Sequence, residues 1–206
     1  AVEKIDGRFT NQPLVEAAIR DTVGWTLLQV GAHKDAEKQL RWALKIRDRV
    51  RGSEHSDTLE TMSGLAIVYF EMGRYAEAEQ LELRTFEIRR RKLGDENSDT
   101  LASANILATI YAIQGRFAKA EELYQKTLEV QRRILGTDHG DTLATMGNIA
   151  NVCREQGRYT DAEELHQRVL EIRQRTLGED HPDTLASMGN LADVYREQGR
   201  YAEAEE

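Results

Sequence analysis

Apolar side chains recur along this chain at intervals of three and four, and the whole pattern restarts every 42 residues. Within 157–198, Tyr159, Ala162, Leu165, Val169, Ile172 and Leu177 mark one face of an amphipathic helix. Gly178 follows as a helix stop, since glycine takes the left-handed backbone that a helix exit often needs. A short polar turn, Glu-Asp-His-Pro-Asp-Thr, places Pro182 near the next helix start, where its missing N–H costs nothing. The second helix carries Leu185, Met188, Leu191, Ala192 and Tyr195 and ends before Gly199. Glu163 and Glu164 in the first turn of the longer helix, with Arg173 and Arg175 near its last, suit the helix dipole. Each block therefore predicts a helical hairpin, with connecting turns near 52–56, 94–98, 136–140 and 178–182.

Gly31, Gly73, Gly115, Gly157 and Gly199 are spaced 42 apart, and from Gly73 onward they open the phrase Gly-Arg-(Tyr/Phe)-x-x-Ala-Glu. The blocks 115–156 and 157–198 are identical at 26 of 42 positions, which is duplication. A repeat of this length predicts a solenoid, whose units bury their apolar faces only against neighbours. Composition agrees: two prolines, 31% charged residues and an abundance of good helix formers predict an all-α chain. Residues 1–12 read as a tail or the end of a preceding helix, and 13–206 as the array. The chain stops eight residues into a further block, so it reads as part of a longer array, with an open C-terminal end available for self-association.

Ala66, Ala108, Ala150 and Ala192, each three residues before Tyr69, Tyr111, Cys153 or Tyr195, resemble the first helix of a tetratricopeptide repeat. The Gly-Arg-(Tyr/Phe)-x-x-Ala phrase resembles its turn and second helix. The 42-residue length and the Leu-Gly-x-x-His-x-Asp-Thr-Leu joint, clear at 135–143 and 177–185, are similar to the longer variety found in kinesin light chain and in many multi-repeat signalling proteins. The first block departs most, with Ala32-His33-Lys34 in place of Arg-Tyr and Trp25 in its first helix. Gln12-Pro-Leu-Val-Glu-Ala-Ala-Ile-Arg-Asp-Thr resembles the start of such arrays downstream of bacterial serine/threonine kinase domains. The resemblance implies a right-handed α-solenoid of about four and a half stacked helical hairpins.

Chemistry is sparse. There is no Gly-rich phosphate loop, no His-Glu-x-x-His, no Cys-x-x-Cys and no nucleophile elbow. No enzymatic activity and no cofactor are expected. Asp138, His139 and Asp141, repeated as Asp180, His181 and Asp183 beside Glu179, carry metal-ligand types. They recur in the same inter-repeat turn, where short polar side chains cap a helix start, so capping is the expectation and metal binding is not. His166 stands where other blocks have Glu82 and Tyr124, so nothing demands an imidazole there. Cys153 replaces the Tyr of its column and reads as a core thiol, which suits a reducing, cytoplasmic setting. Net charge is −8, which argues against nucleic acid. The Arg89-Arg90-Arg91-Lys92 string falls where a helix ends, in keeping with the dipole. No apolar run approaches membrane-spanning length, so no membrane partner is expected.

The resemblance assigns the concave surface to the first helix of each hairpin, and 42-residue columns then name its side chains. One column runs Trp25, Ile67, Thr109, Asn151, Asp193; the next runs Leu28, Phe70, Ala112, Arg154, Arg196; a third runs Thr22, Gly64, Ile106, Asn148, Asn190. The surface changes from apolar (Trp25, Leu28, Ile67, Phe70, Ile106) to polar and partly cationic (Asn148, Asn151, Arg154, Asn190, Asp193, Arg196). Contiguous exposed apolar side chains mark interaction sites; residues 1–12, with Ile5 and Phe9, folding back as a cap is the competing account. Arg154 and Arg196 invite an acidic ligand, with pairing to Glu155 and Glu197 as the alternative. The expected function is a scaffold that binds a partner protein or extended peptide, acidic with a hydrophobic anchor. The rival is a regulatory or self-assembly segment of a larger signalling protein, such as a bacterial kinase or NTPase sensor.

Overall fold

The structure, a computed structural model, describes Phe9 and residues 11–205. Among the described residues it is all helix and turn, in two compact units, residues 1–110 and 111–206. The first contains α1 (Pro13–Gln29), α2 (His33–Arg51), α3 (Ser56–Glu71) and α4 (Tyr75–Leu93), and most of α5 (Ser98–Ile113). The second contains the end of α5, then α6 (Phe117–Ile134), α7 (Gly140–Glu155), α8 (Tyr159–Leu177), α9 (Pro182–Glu197) and α10 (Tyr201–Ala204). In each unit, helices adjacent in sequence pack on one another, α1 to α4 in the first and α6 to α10 in the second. The helical hairpin expected from each block is present, and the connecting turns fall within a residue or so of the expected positions.

Two repeated devices set the hairpins. At the end of each first helix the chain reverses through a positive-φ glycine: Gly73 has φ 72°. Its N–H donates to Phe70 O, and Arg74 N–H donates to Tyr69 O at 2.8 Å, satisfying carbonyls that the ending helix would leave unpaired. The guanidinium of Arg74 then lies over the Tyr69 ring at 4.2 Å and pairs with Glu37 and Glu77. Arg116 on Tyr111 and Arg200 on Tyr195 repeat the stacking at 4.3 Å. At the third copy the stack is replaced by Arg158 donating to Cys153 Sγ at 2.8 Å. Cys153 is buried and free, as expected, and burial pushes its thiol pKa up.

The second device is a guanidinium, buried at Arg47 and Arg89 and half-buried at Arg173. Arg89 donates to Ser103 Oγ at 2.8 Å and to the Asp99 carbonyl, and Arg173 does the same to Ser187 and Asp183. Arg47 reaches Thr61, the Asp57 carbonyl and Asp21. These arginines clamp the first turn of the next helix, which is more than the dipole role expected of Arg173. The string after Arg89 divides accordingly: Arg89 is buried, while Arg91 and Lys92 reach back to Glu54.

The core of the first unit gathers Ala36, Leu40, Leu65, Val68, Tyr69, Ala78 and Ile110. In the second, Leu143, Met146, Ile149, Ala150, Val152, Val169, Ile172, Leu191 and Val194 are buried. Two expected core positions are corrected. Leu185 is 53% exposed, although Leu59, Leu101 and Leu143 in its column are buried, because α10, the partner of α9, spans only its first turn. Leu177 is 45% exposed; five residues after Ile172 it has turned about 140° off the apolar stripe.

Candidate functional site

In the first unit the outward column of the first helices is only half open. Trp25, Leu28, Phe70 and Ile106 are partly buried against the core cluster, and Ile67 is half-buried beside them. Trp25 of α1 reaches across to α3, where Gly64 makes room for it. A Cβ on Gly64 would stand 2.8 Å from Trp25 Cζ2, so only glycine lets the indole lie on that helix. Phe70 meets Tyr75 edge-on, with ring centroids 5.5 Å apart and planes at 62°. The result is an apolar strip whose side chains are held in place by neighbours and keep part of their surface in water. Phe9 lines a cleft with Pro13, Trp42 and Ile46; Ile5 is outside the described residues.

In the second unit the same columns carry an ionic network. Arg154 of α7 pairs with Glu155 at 3.0 Å and reaches Asp193 and Glu197 of α9 at 3.8 and 3.7 Å. Arg196 pairs with Asp193 at 2.5 Å. One carboxylate thus serves both arginines, and the pairing expected only within a helix also runs between helices. Asn148, Asn151 and Asn190 are half-buried around it. Arg154 is 20% exposed, and its Nε is buried without a hydrogen bond. Beneath lies His166 of α8, 1% exposed, its Nε2 also unpartnered. Burial, reinforced by Arg154 and Arg173 and opposed by Asp193, lowers its pKa to about 4, so it is neutral at physiological pH.

The inter-repeat histidines cap helices. His139 and His181 are the N-cap residues of α7 and α9, and their Nδ1 atoms accept from the Asp141 and Asp183 amides at 3.2 and 3.1 Å. His55 does the same for α3, and Asn97 takes the role with its amide oxygen at 2.9 Å. Among the described residues no group of three or more His, Cys, Asp or Glu side chains could hold a metal ion. No helix among them is long and apolar enough to cross a membrane.

Sequence reasoning missed the inward polar column of Arg47, Arg89 and Arg173, the first two buried and the third half-buried, and its hydroxyl partners Thr61, Ser103 and Ser187. The signal was present: both columns stay polar at positions where the 3.6-residue period points inward. It also missed Trp42, which has no counterpart in the other blocks and is 46% exposed.

Comparison with known proteins places this geometry. A tetratricopeptide-repeat family profile matches residues 17–91, 99–165 and 141–206. A Podosopora anserina structure of kinesin-light-chain type, with nearly identical TPR-like repeats, is 29% identical; the match covers 91% of this chain and 89% of that one, with a TM-score of 0.76. BtubC (BKLC) from P. vanneervenii is 23% identical over 99% of this chain and 82% of its own, at TM-score 0.77. The Rap conjugation gene regulator of plasmid pLS20, solved with the Phr* peptide, shares the fold at 12% identity and TM-score 0.78; the match covers 94% of this chain and 51% of that regulator. A comparison with curated protein sequences found no match. The family profile spans nearly every hairpin described above, and this chain belongs to the tetratricopeptide-repeat family.

Proposed function

We propose that this chain is a non-catalytic scaffold that binds a partner protein or an extended peptide on the face carried by its first helices. The observation that carries the reading is the strip of Trp25, Leu28, Ile67, Phe70 and Ile106: apolar side chains pre-positioned by packing, yet left partly in water. Preorganised aromatic and aliphatic anchors lose little conformational freedom on binding, which is how such strips gain affinity. The asparagines Asn148, Asn151 and Asn190 add amides of the kind that hold a peptide backbone. The likeness in fold to a Rap regulator solved with a peptide supports the same class of ligand.

An acidic ligand is a finer reading, and it has to displace Asp193 and Glu197 from Arg154. Exchange of one carboxylate for another is near neutral in charge, so acidic residues tune specificity while the apolar anchor supplies affinity. The test is a pull-down comparing wild type with Phe70→Asp and, separately, with Asn148→Ala/Asn151→Ala, each checked for wild-type helicity by circular dichroism. Loss of a partner in folded variants supports the reading; retention in both refutes it.

A further inference from the structure

A second surface stands apart from the first-helix face. On α3, Leu65 and Tyr69 lie four residues apart and floor a cleft of about 600 Å³ between α2 and α4; Ile67, about 200° around the helix from Leu65, faces the other way. The cleft is walled by Trp42, Leu44 and Leu81 and rimmed by Arg41, Lys45 and Arg84. Its size is that of a ligand site. Trp42 also borders a smaller cleft of about 250 Å³ with Pro13 and Ile46 on its other side. An indole left 46% exposed between two concavities is an anchor position.

The 42-residue columns show that this surface is particular to the first block. Where α2 has Trp42, the later second helices have Arg84, Lys126 and Arg168; where it has Lys45, they have Glu87, Glu129 and Glu171. Lys38 is likewise replaced by Gln80, Glu122 and Glu164. Lys38, Arg41 and Lys45 follow one another at three- and four-residue spacing, so α2 presents a cationic stripe in a chain of net charge −8. Lys45 lies over the Trp42 ring at 5.6 Å. Of these cations only Arg41 has an ion pair among the described residues, to Glu37 at 3.2 Å. Glu77, the one carboxylate on the rim, is already taken by Arg74. The corresponding surface of α8 in the second unit, lined by Asp138, Glu164, Arg168, Glu171 and Arg175, is polar and of mixed sign.

We infer that the α2–α4 cleft docks an acidic peptide segment of a partner protein, one apolar side chain of which inserts against Trp42, Leu65 and Tyr69 while flanking carboxylates meet Arg41, Lys45 and Arg84. Charge complementarity selects the occupant. Positive charge at the rim calls for carboxylates, and the apolar floor calls for a side chain that enters the cleft. A nucleic acid or an anionic bilayer would meet the cations but leave that floor empty.

The test uses a fluorescein-labelled peptide with one leucine among glutamates and aspartates, a version with that leucine as alanine, and a version with lysines for the acids. Anisotropy is read against wild type, Trp42→Ala, Arg41→Glu/Lys45→Glu and Phe70→Ala. Binding of the first peptide alone, weakened at least ~10-fold by Trp42→Ala and by the double reversal but unaffected by Phe70→Ala, supports the site. Weakening by salt at the wild-type rim, and its loss in the charge-reversed variant, supports the assigned cations. Trp42→Phe, which keeps a ring in place, restores most affinity if the site acts through packing. The inference is overturned if the acidic peptide binds no better than its lysine counterpart, or if Phe70→Ala and not Trp42→Ala removes binding. It is equally overturned if single-stranded DNA or phosphatidylserine vesicles bind with the same Trp42 dependence and the peptide does not. Because Phe70 and Trp42 lie on different surfaces, failure here leaves the first-helix reading intact, and the converse also holds.

Discussion

A leucine at one position of this repeat is core or surface according to whether a full helix packs behind its own. Leu143 is buried in the second unit, and Leu143→Ala should cost ~2–5 kcal/mol in denaturant unfolding. Leu185, its counterpart 42 residues on, is 53% exposed, and the same truncation should cost less than ~1 kcal/mol. Equal costs would mean that the burial described for α7 and α9 is wrong. His166 gives the residue scale a pH dependence. Its pKa in the folded chain is about 4 against an ordinary 6.5, so between those values the unfolded chain binds more protons. Its contribution is complete above pH 6.5 and is lost as pH falls toward 4, to a total of up to ~3 kcal/mol. His166→Tyr, which installs the residue found at position 124, should flatten stability against pH in that window relative to wild type. A profile unchanged by the substitution would show that His166 is not held neutral by burial.

At the scale of elements, the helices and turns were legible from periodicity, because each turn carries local chemistry: a positive-φ glycine throughout, joined in the inter-repeat turns by a capping His or Asn. The lateral contacts between helices were not. A period of 3.6 says which face is inward but not that Arg89 on that face will find Ser103, nor that Trp25 will lie on Gly64; those facts belong to two helices at once. The apolar character of the Trp25–Phe70 strip could be read from columns, but its half-burial could not, since that depends on how far each ring sinks between neighbours. Arg89 is accordingly a structural residue: Arg89→Met should cost ~1–3 kcal/mol by leaving Ser103 and the Asp99 carbonyl without their donor. Glycines divide in the same way. Gly189→Ala meets nothing within 4 Å and should stabilise α9 by up to ~1 kcal/mol through helix propensity. Gly64→Ala drives a methyl into the Trp25 ring and should destabilise by ~1–2 kcal/mol, an effect that Trp25→Ala in the same chain removes. Thermal melts of the four variants decide it, and a stabilised Gly64→Ala would show that the indole does not rest there.

For the molecule as a whole, most of the polar clusters that recur along the chain serve as caps, clamps or stacks within and between hairpins. Trp25, Leu28, Ile67, Phe70 and Trp42, which vary from block to block, take no part in those caps and clamps. They gather on two faces, the first-helix strip and the α2–α4 cleft, and it is there that the chain departs most from its own repeat. A partner bound on the first-helix face, as proposed above, is detected by mapping where it makes contact. Peptides selected from a random library on the intact chain, titrated against isotope-labelled protein, should shift the amide and side-chain resonances of Ile67, Phe70, Ile106, Asn148 or Asn151 in a saturable manner. Saturable shifts confined to α4, α6 and α8, with those first-helix positions unmoved, would contradict that proposal.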